Sequence, residues 1–402
     1  MTNLPQGWKM ETLGEILSSD KYSIKRGPFG SALKKSFFVE KGIRIFEQYN
    51  PINNNPHWKR YFISHEKFQE LEAFKATEGD LLISCSGTLG KIVELPKDTE
   101  MGIINQALLK IRLNNIKILN SYFIYYFNSP IMQEKILEST LGSAIKNIAS
   151  VKILKQIEIP LPPLKKQERI VGILDESFAK IDESIKILEQ NLLNLDELMQ
   201  SALQKAFNPL KDNAKENYKL PQGWEWKSLE EISENISAGG DKPKNCTESK
   251  TAKNQIPVYA NGVNNNGLVG YTDKATIIKP SLTISARGTI GFVCIRKEPY
   301  FPIVRLISLI PCENILCLHY LYFCLNFFIA KGEGSSIPQL TIPKFKSLQI
   351  PLPPLKEQEQ ITKHLDFIFE KAKALKELYT KELKDYEELK QSLLDKAFKG
   401  EL

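Results

Sequence analysis

The chain has 402 residues, 42% of them hydrophobic, and carries a net charge of +7. That length predicts two or more domains with apolar content enough for real cores. The stretch from Met1 to Trp8 lacks a basic region and an apolar core, so no secretion signal is read there.

The first module opens with Leu4-Pro5-Gln6-Gly7-Trp8. Its tryptophan is read as a packing anchor. A basic, glycine-punctuated loop follows at Lys25 to Lys35, holding Arg26, Ser31, Lys34 and Lys35. Short strands are expected at Gly42 to Phe46, Asp80 to Ser84, Lys91 to Leu95 and Ile103 to Leu113. Between the first two lies a polar, basic loop, Asn53 to Arg60, with two proline punctuations and with His57, Lys59 and Arg60 near its end. The phrase Ser84-Cys85-Ser86-Gly87-Thr88-Leu89-Gly90 suits a tight strand connection. It lacks the spacing of a phosphate loop. Tyr122 to Asn128 is read as a buried helix.

At Ile159 the chain begins a phrase that it later repeats. Ile159-Pro160-Leu161-Pro162-Pro163-Leu164-Lys165-Lys166-Gln167 returns as Ile350-Pro351-Leu352-Pro353-Pro354-Leu355-Lys356-Glu357-Gln358, displaced by 191 residues. From Ile159 to Phe207, 23 of 49 positions are identical to the later copy. A duplicated unit is the only economical account. The prolines hold an extended lead-in, since neither fits inside a helix. Behind them apolar residues step by four and three: Leu174, Phe178, Ile181, Ile185, Leu188, Leu192, Leu195, Met199, Ala202, Ala206. Such a seam, sustained for more than four heptads, predicts a coiled-coil helix. The second seam reads Leu365, Phe369, Ala372, Lys376, Tyr379, Leu383, Tyr386, Lys390, Leu393, Ala397. It is looser, with two lysines that have Leu375 and Leu389 beside them. Two copies of one seam favour pairing with each other, and an antiparallel return would give the chain an approximate two-fold repeat. Asn208 to Asn217 reads as a polar linker.

The second module opens with Leu220-Pro221-Gln222-Gly223-Trp224, displaced by 216 from the first. The first module is therefore about 25 residues longer, and the two share a frame with different insertions. Its own polar stretches are Gly239 to Lys244, with Lys242 and Lys244, and Tyr259 to Gly267, with Asn261, Asn264, Asn265 and Asn266. Asparagine beside glycine is a turn former and equally a donor–acceptor pair for adenine edges, and the sequence leaves both open. Ser285-Ala286-Arg287-Gly288-Thr289-Ile290-Gly291 answers the first module's glycine phrase. The most apolar run, Ile315 to Ala330, contains His319 and Asn326, is short for a membrane span, and aligns with the first module's buried helix. The six cysteines contain no C-x-x-C pair and are read as reduced thiols of a cytoplasmic protein; a metal site at Cys312, Cys317 and His319 is the lesser reading.

Charge divides along the same lines. Residues 1–158 carry +5 and 213–349 carry +5, while 159–212 carry −2 and 350–402 carry −1. Positive charge thus belongs to the modules, as it should if they grip a polyanion and the helices do not. No catalytic signature accompanies it. The four histidines have no ligand spacing, there is no D-P-P-Y or N-P-P-F type segment and no glycine-rich cofactor loop, and the carboxylate pairs Glu230-Glu231 and Glu387-Glu388 are expected on solvated helix faces. The chain reads as a binder.

Two modules alternating with two repeated helices, each announced by I-P-L-P-P-L-x-x-Q, resemble the specificity subunits of type I restriction-modification systems. L-P-x-G-W at both module starts, G-P-F-G-S in the first module and G-T-x-G in both belong to the same resemblance, which covers essentially the whole chain. It implies an α+β fold: two similar globular α/β target-recognition domains at 1–158 and 213–349, a central conserved region at 159–212 and a distal one at 350–402. The long helices would form an antiparallel coiled coil that sets the gap between two half-targets of double-stranded DNA. The conserved regions would dock two methyltransferase subunits that carry S-adenosylmethionine and methylate adenine. Endonuclease/translocase subunits, with ATP and Mg, would complete the complex, and this chain would bind no cofactor itself. Candidate DNA contacts are Arg26, Ser31, Lys34, Lys35, His57, Lys59, Arg60, Ser86 and Lys91 in the first module. In the second they are Lys242, Lys244, Asn261, Asn264, Asn265, Asn266, Arg287 and Thr289. The rivals are a coiled-coil scaffold with two non-DNA heads and a self-sufficient restriction-modification enzyme, whose catalytic motifs are missing.

Overall fold

Each proline lead-in becomes a strand. A computed structural model describes residues 5–138, 148–207, 220–329, 332–333 and 340–402; the expected linker at Asn208 to Asn217 lies outside them. Glu158–Leu161 pairs antiparallel with Lys9–Thr12, and Gln349–Leu352 pairs antiparallel with Glu225–Ser228. A two-stranded ribbon tolerates Pro160 and Pro351 because one edge of each strand needs no partner. Leu161 and Leu352 then give way to Pro-Pro and a long helix. The carbonyl of Pro163 accepts the N–H groups of Lys166 and Gln167, and that of Pro354 accepts those of Glu357 and Gln358. Four helices matter below: α1 (Asn120–Phe127), α2 (Leu164–Phe207), α3 (Leu318–Phe328) and α4 (Leu355–Lys399).

The chain divides into two compact units, Met1–Leu188 with Lys381–Leu402, and Glu189–Thr380. Unit 1 holds a four-stranded antiparallel sheet in the order Ile24–Arg26, Leu108–Ile111, Leu81–Ser84, Ile92–Glu94. The buried faces of Leu81, Ile83, Leu109 and Ile111 pack with Tyr122, Phe123, Tyr126 and Phe127 of α1. The start of α2 and the end of α4 close the same core through Ile170, Leu174, Leu394, Ala397 and Phe398. Gly400, at φ +79°, terminates α4 in the left-handed conformation that glycine adopts without a steric penalty. A second sheet orders Phe38–Val39, Phe62–Ile63, Ile43–Phe46, Gly102–Ile104 and Lys75–Ala76, with Ile43–Phe46 and Gly102–Ile104 parallel.

Unit 2 repeats the plan. Its four-stranded sheet runs Ser233–Ala238, Ile307–Pro311, Ser281–Ile284, Val293–Arg296, and packs Leu282, Ile284, Ile307 and Leu309 with Tyr320, Leu321 and Phe323 of α3. The end of α2 and the start of α4 enter this core through Ala202, Leu203, Phe207 and Leu365. Its second sheet is smaller: Leu268–Thr272, Ile256–Tyr259 and Phe301–Pro302, again with one parallel pair. The longer first module therefore carries the additional outer strands of the larger sheet.

In each unit the helices run antiparallel along the expected seam. Asp182 meets Lys390 in unit 1, and Asp196 meets Lys376 in unit 2. Leu174, Ile181, Leu188 and Leu195 of α2 and Leu365 of α4 are buried; Phe178, Ile185, Leu192, Phe369, Tyr379, Leu383, Tyr386 and Leu393 are half-buried. The looser second seam thus has a chemical reason. Its lysines lie within the seam, their stems packed and their charges answered by aspartates of α2, whereas Leu375 and Leu389 are exposed.

Two expectations need correction. Ile103 to Leu113 is two strands, Gly102–Ile104 and Leu108–Ile111. Between them the Asn105 side chain accepts the Ala107 N–H, a local bond that competes with a continuous strand. Glu230 and Glu231 lie in a turn, not on a helix. The Glu231 carboxylate accepts from the backbone and hydroxyl of Ser228, as Glu15 does from Thr12 in unit 1. Glu387 and Glu388 do lie on α4. Among the described residues no helix is long and apolar enough to cross a membrane, and no group of His, Cys, Asp and Glu is placed to hold a metal ion. Cys85 and Cys324 are buried, and burial pushes both thiols up, Cys85 to about 11.

Candidate nucleic-acid interface

In unit 2, four loops meet around one asparagine. Asn261 follows the strand Ile256–Tyr259; its Oδ1 accepts the Ala286 N–H at 2.8 Å and its Nδ2 donates to the Val304 carbonyl at 2.6 Å. Val304 and Arg305 donate in turn to the carbonyls of Gly240 and Gly239, each at 2.8 Å. Gly239 is required there, since a Cβ would lie 2.6 Å from the backbone of Pro302 and Ile303. Asn261 thus serves as an internal clamp with both amide functions engaged, while Arg287 belongs to the loop it anchors and Thr289 opens the short strand that follows, Thr289–Ile290. Arg287 and Arg305 line a cleft of about 430 Å³ together with Gly239 and Thr341.

The same hairpin displays Asn264, Asn265 and Asn266, all exposed. Asn265 (φ 47°, ψ 35°) and Asn266 (φ 52°, ψ 32°) are both left-handed, a conformation asparagine tolerates best among non-glycine residues. Arg296, 8% exposed at the end of Val293–Arg296, holds the turn from beneath. Its Nη2 donates to the Asn266 carbonyl at 2.5 Å, its Nε to Thr283 Oγ1 at 3.0 Å, and its guanidinium lies 3.6 Å from the Tyr259 ring centroid. Val304 (φ 53°) and Arg305 (φ 60°) are also left-handed, which for a β-branched residue is a strained turn. Lys242 and Lys244 are exposed just beyond Gly240.

Unit 1 builds a corresponding loop from other residues. Arg44, 2% exposed on Ile43–Phe46, donates through Nη2 to the carbonyls of Pro56 (2.9 Å) and Trp58 (2.7 Å) while covering the Phe46 ring at 4.1 Å. Asn50, fully buried, donates to the carbonyls of Asn55 and Trp58 and accepts the Glu47 N–H. Asn54 is left-handed at φ 46°, and Tyr49 stacks on Trp58 at 4.3 Å. His57, Lys59 and Arg60 are exposed on this loop. All three have acidic neighbours: His57 faces Asp98 at 4.0 Å, Lys59 pairs with Glu100 at 3.0 Å, holding that carboxyl below its ordinary range, and Arg60 acts on the half-buried Glu47. Arg60 lies over Tyr61 at 4.7 Å. Arg26, half-buried on its strand, approaches Phe29 at 5.8 Å, and Ser31, Lys34 and Lys35 are exposed on the turns that follow. Ser86 is half-buried and Lys91 exposed at the glycine phrase. There Gly87 and Gly90 adopt φ of 68° and 69°, matched by Gly288 and Gly291 in unit 2, so that phrase is the tight connection its glycines suggest.

Sequence reasoning passed over Arg44, Asn50, Arg296 and Arg305. A charged residue inside an apolar strand run, I-R-I-F or V-C-I-R, was the available signal for two of them. Nothing local marked Arg305.

Gly27, next to Arg26, offers a sharp test of how closely these loops approach. A Cβ there would lie 1.7 Å from the Asn105 carbonyl oxygen, so Gly27→Ala must displace backbone. The expected loss in a thermal melt is about 3 kcal/mol, the upper end for overpacking. Gly172, exposed in α2 with nothing within 4 Å of its Cβ position, should respond oppositely: Gly172→Ala is expected to gain roughly 0.5–1 kcal/mol. Equal effects at the two sites would refute the packing argument.

The family described as type I restriction modification DNA specificity domain matches residues 5–193 and 221–384. The type I specificity subunit S.MpnORF507P of Mycoplasma pneumoniae is 32% identical over 220 residues, which cover 54% of this chain and 57% of that relative. The match thus spans little more than half that relative's length. The EcoBI type I restriction enzyme specificity subunit of Escherichia coli is 23% identical over 359 residues, 80% of this chain and 73% of the relative. Among solved structures, one from work on complex assembly and conformational transition of the type I R-M system aligns over all of both chains with a TM-score of 0.81 at 21% identity. The HsdS subunit from Thermoanaerobacter tengcongensis aligns over 100% of this chain and 98% of that one with a TM-score of 0.62 at 21% identity. At such identities these structures establish a shared fold.

Proposed function

The chain belongs to the type I restriction-modification DNA specificity family, and from that premise we propose that it reads a bipartite target in double-stranded DNA, one half with each compact unit. Residues 1–158 and 213–349 are the target-recognition domains in this reading, and 159–212 and 350–402 the conserved regions. The observation that carries it is a repeated frame bearing unlike loops. Both units have the same four-stranded sheet, the same entry strand and the same buried helix, yet one displays Asn53 to Arg60 and the other Asn264 to Asn266. A duplicated scaffold with divergent polar tips suits two readers of different sequences.

Lys34, Lys35, Lys91, Lys242 and Lys244 supply exposed cations for phosphate contacts, which position the duplex without reading it. Asparagine amides and neighbouring apolar groups supply base-edge contacts. The chain performs no chemistry by itself in this proposal. Two adenine-specific methyltransferase subunits with S-adenosylmethionine dock on its helices and flip the target base into their own pockets. Endonuclease/translocase subunits with ATP and Mg join them in the cytoplasm.

Methylome sequencing of a host carrying this chain with its methyltransferase subunit, against deletion of this chain alone, tests the proposal. One bipartite motif with N6-methyladenine on both strands should depend on the chain. Exchange of residues 213–349 for those of another specificity subunit should alter one half of the motif only. A methylome indifferent to the deletion would refute the reading.

A further inference from the structure

We infer that the asparagine loops 53–60 and 261–267 are the base-reading elements of their units, and that the buried Arg44 and Arg296 are positioning residues that hold these loops pre-formed. The inference rests on the DNA-reading proposal above and deepens it.

Three observations carry it. First, left-handed non-glycine residues are concentrated in these loops and the turn that Asn261 clamps. Asn54, Asn265, Asn266, Val304 and Arg305 are all the described non-glycine residues with positive φ. Such conformations persist only where surrounding bonds over-determine them, and they gather at sites of recognition.

Second, each loop is held by a buried guanidinium directed at its backbone. Burying an arginine is unfavourable unless its donors are satisfied, and an apolar residue would close either sheet with less penalty. Arg44 gives Nη2 to the carbonyls of Pro56 and Trp58 and leaves its buried Nε without a partner among the described residues, so the loop bonds are what offsets its burial; Arg296 gives Nη2 to the carbonyl of Asn266. Each also lies over an aromatic ring, Phe46 or Tyr259.

Third, the two arginines come from different strands of the shared frame. Arg44 is on Ile43–Phe46 of the second sheet, whereas Arg296 is on Val293–Arg296 of the first, with only its aromatic partner on Ile256–Tyr259. The device is therefore not a by-product of the duplicated fold. What the two arrangements have in common is the loop they fix.

Fixing a surface loop before binding removes its ordering entropy from the recognition step and sets the side chains that reach the groove. In unit 2 the exposed Asn264, Asn265 and Asn266 offer amides that match the donor–acceptor pattern of adenine in the major groove, and exposed Val263 and Val304 beside them offer apolar contact of the kind thymine methyls accept. In unit 1 the Tyr49–Trp58 stack and Arg60 occupy the corresponding place.

The test uses the full chain with its methyltransferase subunit and reads the methylome one half-motif at a time. Arg296→Lys keeps a positive charge but cannot bridge Thr283 and Asn266 together. It should lower discrimination at one or more positions of the unit 2 half by at least about tenfold, the scale of a single base contact, and leave the other half sharp. Arg44→Lys should do the converse. The pair Asn265→Gly with Asn266→Gly removes both amides while glycine keeps the left-handed turn, so the fold is preserved and the melting temperature should stay within about 2 °C. Discrimination in the unit 2 half should still fall. Should an arginine variant not fold, this glycine pair decides the matter for unit 2. An unchanged unit 2 half in the glycine pair would overturn the inference, as would equal blurring of both halves in Arg296→Lys. The wild-type arm separates the two levels: a motif that depends on the chain while these variants leave it intact sinks only this inference, whereas no chain-dependent motif at all sinks the DNA-reading proposal with it.

Discussion

Replacing Gln358 with alanine should destabilise unit 2 by about 3 kcal/mol or more, because three backbone groups lose their partner at once and each orphaned group costs about 1–3 kcal/mol. The side chain is fully buried. Its Oε1 accepts the Cys317 N–H at 2.8 Å, and its Nε2 donates to the carbonyls of Ile315 and Pro353, both at 2.8 Å. One amide therefore ties the first turn of α4 to the entry of α3 and to the proline lead-in. Gln167 does the same in unit 1, bonding Leu119 N–H and the carbonyls of Lys117 and Pro162, each at 2.9 Å. At roughly 2–4 °C per kcal/mol for a unit of this size, either alanine variant should lower its transition by about 6–12 °C. Gln358→Glu is the informative companion. It keeps the acceptor for Cys317 but turns a carboxylate oxygen towards two carbonyls, so it should be no more stable than the alanine variant. A glutamate variant that melts like the wild type would show that the donor bonds contribute nothing.

The second large effect concerns the phenylalanines that close each helix repeat. Phe398, near the end of α4, meets Tyr122 and Tyr126 edge-on at 5.4 and 5.0 Å in unit 1. Phe207, the last residue of α2, meets Tyr320 edge-on at 5.7 Å and Phe327 at 5.6 Å in unit 2. Both are buried, so truncation removes apolar contact and leaves a cavity, with an expected loss of about 3–5 kcal/mol for Phe→Ala. The effect should be local to one unit. In Phe398→Ala, hydrogen exchange should accelerate across residues 381–402 and α1 while α3 keeps its protection; in Phe207→Ala the pattern should reverse. Equal acceleration in both units for either variant would contradict this assignment of anchors.

These anchors also show where sequence reasoning was sufficient. The duplicated phrase, the proline lead-in and the seam from Leu174 to Leu195 were legible because each rests on local spacing: a missing N–H, a fixed φ, a period of 3.5. The glutamine of the repeated phrase was visible as a repeated letter, but its role was not, since its partners at Lys117 and Ile315 lie more than forty residues away. The seam lysines looked like defects for the same reason. Their aspartates are 180 and 208 residues distant in the chain.

The recognition loops mark the other limit. Their position between strands and their polarity could be read from glycine, proline and asparagine. Their shape could not, because it depends on Arg44 and Arg296 reaching backbone carbonyls from neighbouring strands, and on Asn261 joining loops 25 and 43 residues away. By itself, then, the sequence determined what is periodic or locally constrained: two modules, two helices, one repeated frame and where its variable tips fall. Only the tertiary structure decided which distant groups satisfy one another, because a buried donor takes whichever acceptor the fold brings within 3 Å, and no local pattern records that choice.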